Sequence, residues 1–200
     1  MDAMGENLQF MRMLAAARER LTRHDPAALA ARAGAAYENG LLRLESLGQT
    51  VTVRLPDCTV TPQLPQWQTL VLLHYLELAG GAQLTGELMP FAQYPGGLAR
   101  GGGFDREAEN VLREKLGGLT SEELTRRSRA LGAEIVRSNA DLCARFLFAP
   151  RYPIWLKLWF ADEELPASGR LLLDTSAPQY LTIEDAVTAG TILLDALTSI

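Results

Sequence analysis

Two cysteines and two histidines are all that this chain of 200 residues holds of thiolate and imidazole metal ligands. Cys58 and Cys143 stand far apart in sequence, so they cannot supply the clustered thiolates of an iron–sulfur centre or a structural zinc site. Nor do two isolated thiols make a disulfide framework, and a reducing cytoplasm is the expected compartment. No apolar run approaches the roughly 20 residues that span a bilayer. Glu6, Arg12, Arg18 and Glu19 interrupt the opening segment where a secretory leader is apolar, so no membrane role is expected. A basic excess is missing too. The net charge of −5 argues against a nucleic-acid footprint, which needs cations to displace phosphate counterions. There is no nucleophile elbow, no His-x-x-x-His pair, and no Ser/His/Asp set that two histidines can serve.

What is present reads as a globular chain. Hydrophobic residues make up 48% and charged residues 22%, which excludes a largely disordered protein. The length suits one domain able to bury roughly 70% of its unfolded surface. The segment from Tyr152 to Asp174 organises the reading. Ile154, Leu156, Leu158 and Phe160 alternate with Trp155, Lys157 and Trp159, the period of a strand that covers a core on one face. The pattern stops at Asp162-Glu163-Glu164, and Pro166 to Gly169 supplies turn chemistry before a second apolar run, Leu171 to Leu173.

The flanking segments fill in an α+β fold, an antiparallel sheet packed by helices in a single domain over 1–200. Residues 1–37 read as two N-terminal helices, the second started by Asp25 as cap and Pro26 at its first position. Residues 41–200 then hold the sheet and its packing helices. Leu42, Leu44, Val51 and Val53 around a Leu47-Gly48-Gln49 turn read as a hairpin. Gln66 to Ala79 is apolar nearly all round and reads as a buried helix carrying His74 and Tyr75. Leu84 to Gly103 has no clear period. Its five glycines around Arg100 read as a connector or mobile lid, able to offer backbone N–H groups to an anion. Helices are expected over 105–116 and 121–131, and Thr120 with Glu123 forms a capping box for the latter. Ala140 to Phe148 reads as a strand, and Thr182 caps a last helix with one continuous apolar stripe from Ile183 to Leu197.

The run from Pro153 to Trp159, then Ala161-Asp162-Glu163-Glu164-Leu165-Pro166-Ala167, then Leu171 to Asp174 resembles the C-terminal signature of the domain of unknown function 3786 family. Tyr180-Leu181-Thr182-Ile183-Glu184-Asp185 resembles the helix start that follows in its members. Leu73-His74-Tyr75-Leu76, Thr85-Gly86, Phe91 and Gly96-Gly97 are similar to its middle section. The resemblance implies a protein of anaerobic bacteria and archaea. It also implies an accessory role beside iron–sulfur or corrinoid-linked proteins, reached here through a partner because cluster-binding cysteines are absent. It supplies no catalytic residues.

Two functional readings follow. The first is a non-catalytic binding or accessory module with an unidentified protein partner and no cofactor or metal of its own. The second is an enzyme or small-anion-binding protein whose pocket joins His74, the 96–103 glycine loop and the 162–164 acidic turn. The ligand-binding candidates are His74, Tyr75, Arg100, Trp155, Lys157, Trp159, Asp162, Glu163 and Glu164. Two tryptophans around a lysine make a binding surface if exposed, and adjacent acids on a turn suit a hard cation or a general base.

Overall fold

The first helix, α1 (Ala3–Leu21), places Phe10, Leu14, Ala17 and Leu21 at helical spacing, and all four are buried. The computed structural model describes residues 3–200, with side chains from Leu8 onward. In α2 (Pro26–Ala33) the Asp25 carboxylate accepts from Ala28 N at 2.9 Å, and Gly34 closes the helix in the left-handed region at φ 66°. That early stop corrects the expected helix to residue 37. Ala36–Glu38 is instead a strand, β1, folded back across Asn39-Gly40 onto β2 (Leu41–Ser46). Both turn residues have positive φ, which asparagine and glycine accept most readily.

Strands β2 and β3 (Gln49–Arg54) form the expected hairpin over a two-residue turn, Leu47-Gly48, and β4 (Thr59–Thr61) completes an antiparallel sheet of order β1-β2-β3-β4. A second antiparallel sheet has the order β5-β9-β8-β7-β6, built from Leu88–Met89, Ser168–Asp174, Tyr152–Trp159, Leu142–Ala149 and Glu134–Ile135 respectively. The strands thus divide between two sheets. The register of the second aligns Phe146, Ile154 and Leu173 in one row and Ala144, Leu156 and Leu171 in the next, all buried. The hairpin turn touches this sheet directly, with Leu47 N donating to Leu147 O at 2.7 Å.

Helix α3 (Gln66–Leu78) buries Leu70, Val71, Leu72, Leu73, Tyr75 and Leu76 but leaves Trp67 and Leu78 exposed by 49% and 42%. The greatest departure from expectation follows. The glycine stretch is not a loop. Gly97–Val111 is a helix, α4, continued by a π-helical turn over Leu112–Leu116. Four glycines in its first seven residues cost about 1 kcal/mol each in helix propensity, and packing overrides that cost. A Cβ on Gly97 or Gly101 would stand 2.5 or 2.1 Å from the Phe91 carbonyl oxygen. The helix therefore lies on the 3₁₀ turn Phe91–Gln93 more closely than any side chain allows. The Asp105 carboxylate fastens it there, accepting from Phe91 N and Ala92 N at 3.1 and 2.9 Å. Helix α5 (Ser121–Ala130) carries its Thr120 cap, whose hydroxyl accepts from Glu123 N. The last helix, α6 (Ile183–Ser199), packs against α3 and α4, and Gly190 makes room for the Phe104 ring.

Candidate functional site

His74 projects from α3 at a point where α6 begins. Its Nδ1 lies 2.8 Å from Asp185 Oδ1, and the two side chains are 18% and 12% exposed. A carboxylate only accepts, so Nδ1 carries the proton and Nε2 is left to meet a bound molecule. Asp185 is itself held. Its second oxygen accepts from Thr182 Oγ1 at 2.8 Å, while its backbone N donates to that hydroxyl at 3.2 Å. The residue sits in the first turn of α6, where the helix dipole favours an anion. Burial works to raise its pKa, but the bond and charge of His74 together with Thr182 outweigh burial and hold the carboxyl below the ordinary range. Behind the pair, the buried Tyr94 hydroxyl is shared between Leu181 O at 2.6 Å and Ala177 O at 3.0 Å, which steadies the chain entering α6. Burial pushes that phenol's pKa up, so it remains a donor.

The pair opens on a cleft of about 630 Å³ between α1, α3 and α6. Met13, Trp67, Leu70, Val71 and Leu78 make its apolar wall. Phe10 packs across Trp67 with ring centroids 5.3 Å apart at 75°, which fixes the indole. Two ion pairs edge the cleft. Arg20 Nε donates to Glu77 Oε1 at 2.7 Å, and Arg100 Nε to Glu184 Oε2 at 3.0 Å. Both hydroxyls in the lining are committed, Thr182 to Asp185 and Thr188 to Glu184 O at 2.8 Å. The site can therefore bind, but it presents no free hydroxyl or thiol nucleophile among its described lining residues. Among the described residues no three His, Cys, Asp or Glu side chains are grouped to hold a metal.

Of the residues singled out in the sequence, His74 and Arg100 meet in this cleft and the others lie elsewhere. Tyr75 faces the core, fully buried, donating to Ala33 O at 2.6 Å, accepting from Arg151 N at 3.0 Å and stacked on Tyr180. The Trp155–Trp159 stripe is half-buried. Arg145 lies 5.9 Å over the Trp155 ring, and Asn139 accepts from Lys157 Nζ and Trp159 Nε1. The acidic turn does not line the cleft. Asp162 builds the turn, its Oδ1 accepting from Glu164 N at 2.9 Å and Leu165 N at 2.7 Å, with Glu163 and Glu164 exposed. The pocket expected from His74, a glycine loop and the acidic turn is thus not assembled, because the glycines from Gly97 onward are helical and residues 162–164 are not part of that lining.

Sequence reasoning missed Asp185, Trp67, Arg20, Glu77 and Glu184. Asp185 had a readable role as part of a capped helix start. Its pairing with a histidine 111 residues away has no local signature.

The comparison with known families falls on the same segments. A family model, the domain of unknown function DUF3786, matches residues 25–196. The chain belongs to this family. In this DUF3786 member the matched span includes the His74–Asp185 pair, α3, α4 and nearly all of α6, while α1 precedes it. No curated protein and no solved structure matches the chain. No helix among the described residues is long and apolar enough to cross a membrane.

Proposed function

We propose that this DUF3786 protein is a non-catalytic binding module whose ligand is a small molecule held in the cleft between α1, α3 and α6. The observation that carries the reading is the His74–Asp185 pair at 2.8 Å on the wall of a 630 Å³ apolar cleft. A histidine oriented by a buried carboxylate offers one directed ring nitrogen, Nε2, and a concave apolar wall with a few fixed polar groups is the usual form of a ligand site. The committed Thr182 and Thr188 hydroxyls favour binding over nucleophilic chemistry.

A fragment screen followed by NMR on the isotope-labelled protein tests this. Fragments that bind should shift His74 Nε2, the Trp67 indole and Thr188 together. Hits that gather elsewhere, or none at all, would overturn it. The accessory role in anaerobic metabolism, beside an iron–sulfur or corrinoid-linked partner, is the finer part of the proposal and rests on the family resemblance. Affinity capture from an anaerobic host should return such a partner reproducibly, and its absence would remove that part.

A further inference from the structure

The sheet of β5 to β9 has one face against the helices and one turned away from them. Gly169 marks the inner face, where an added Cβ would stand 3.0 Å from Leu112 of the π-helical turn. On the outer face the register sets Lys157 opposite Arg170, Trp155 opposite Leu172 and Trp159 opposite Ser168. Residues facing one another on paired strands point to the same side. All six are partly buried or exposed.

Lys157 and Arg170 make a poor pair by themselves, because like charges directly across two strands destabilise a sheet. Neither forms an ion pair with a carboxylate among the described residues. Lys157 Nζ reaches the Asn139 amide oxygen at 3.3 Å, and Glu109 lines a small cavity with Arg170 without pairing with it. The neighbouring Arg145 is already matched by Glu134. In a chain of net charge −5, two unmatched cations beside two half-buried tryptophans and a leucine form a surface complementary to acidic and apolar groups.

The chain carries that counterpart itself. The turn joining β8 to β9 exposes Asp162, Glu163 and Glu164, none of them in an ion pair among the described residues, and then Leu165 at 66% exposure. The two patches flank the Trp159–Ser168 row symmetrically. Lys157 and Arg170 stand two residues inside that row, and Asp162 and Leu165 stand three residues outside it. A two-fold axis near the row lays each acidic turn over the other copy's Lys157–Arg170 pair, with Leu165 toward its tryptophans. This self-complementarity favours a second copy over an unrelated acidic surface.

We propose that the outer face of this sheet is a homodimer interface, in which two copies meet across the β8–β9 hairpin, acidic turn on basic row in both directions. Only three long strands contribute, so the interface is small and the dimer dissociates in the micromolar range. The lining of the cleft holds none of these residues, so this inference and the cleft reading stand or fall separately.

Sedimentation equilibrium of the full chain from about 1 μM to about 500 μM spans that range. It should show a monomer–dimer equilibrium whose dissociation constant rises about tenfold from low to high salt. Lys157→Glu with Arg170→Glu makes face and turn both acidic, and Glu163→Lys with Glu164→Lys makes both basic. Each double variant alone should be monomeric, and an equimolar mixture of the two should dimerise again. Circular dichroism checks the folding of each. Arg170→Gln, which removes one charge at an exposed position, should weaken the dimer about fivefold and keeps the test decisive where a double variant misfolds. A wild-type monomer throughout, a dimer indifferent to salt or to Arg170→Gln, folded double variants that still dimerise alone, or a mixture of them that stays monomeric overturns the proposal.

Discussion

His74 Nδ1 and Asp185 Oδ1 stand 2.8 Å apart and join the middle of α3 to the first turn of α6. The bond fixes one wall of the cleft against another, so it is a structural tie as well as a feature of the site. Asp185→Ala removes the acceptor from the partly buried imidazole and from the Thr182 hydroxyl. The expected loss is about 2 kcal/mol, the usual cost of stranding such donors and weakening a helix start. Urea unfolding of the variant should show a lower midpoint with an unchanged slope.

The same carboxyl makes stability depend on pH. Its folded pKa is depressed, so its contribution is complete above the unfolded-chain value, about 3.9, and is lost as pH falls through the lower folded value. Between mildly acidic and strongly acidic solution the native protein should lose stability more steeply than Asp185→Ala. Parallel curves for the two proteins would show that the pair contributes nothing to acid sensitivity.

Asp174 is a second buried carboxylate, with no cationic partner among the described residues but with five donors. Thr85 N, Thr85 Oγ1, Gly86 N, Ser176 N and Ser176 Oγ all lie between 2.6 and 3.1 Å from its oxygens. It ties the end of β9 to the strand-entry loop before β5. Asp174→Ala should cost about 3 kcal/mol, more than the loss at Asp185, because several donors lose their acceptor at once. Differential scanning calorimetry of the two variants gives the order.

The helical glycine segment makes two opposite substitutions informative. A Cβ on Gly101 would collide with the Phe91 carbonyl, whereas one on Gly103 meets nothing within 4 Å. Gly101→Ala should destabilise by about 2 kcal/mol through forced overpacking. Gly103→Ala should stabilise by up to about 1 kcal/mol, the difference in helix propensity. Amide exchange should slow from Gly101 onward, and rapid exchange through Ala108 would argue for the mobile lid after all.

Where the first sheet meets α5, Gly48 and Gly132 pass so closely that a Cβ on Gly132 would lie 2.5 Å from the Gly48 Cα. Both have φ above +70°. Gly132→Ala combines a clash with a left-handed backbone and should lower stability by about 2 kcal/mol or more, read as a fall in melting temperature.

How far the chain can be read without its structure follows from the range of each force. Alternation at Ile154, Leu156 and Leu158, the stripe from Ala186 to Leu197, and the caps at Asp25, Thr120 and Thr182 depend on neighbours within a turn or a pleat. Those elements were legible, and so was the α+β class. The helix at Gly97 was written in the buried series Gly97, Gly101, Phe104 and Ala108, but glycine's poor propensity concealed it. Only the Phe91–Gln93 turn, pressed against the helix by Asp105, decides that four glycines form a helix and not a lid. The site was less legible still. His74 and Arg100 were visible as candidates, yet nothing local distinguishes Asp185 from any acidic first-turn residue, or an exposed Trp155 from one that Arg145 lies over. Local sequence determines periodicity and capping because those energies are paid between near neighbours. Which surfaces meet, and so which histidine finds its carboxylate, is decided by packing between segments far apart in the chain.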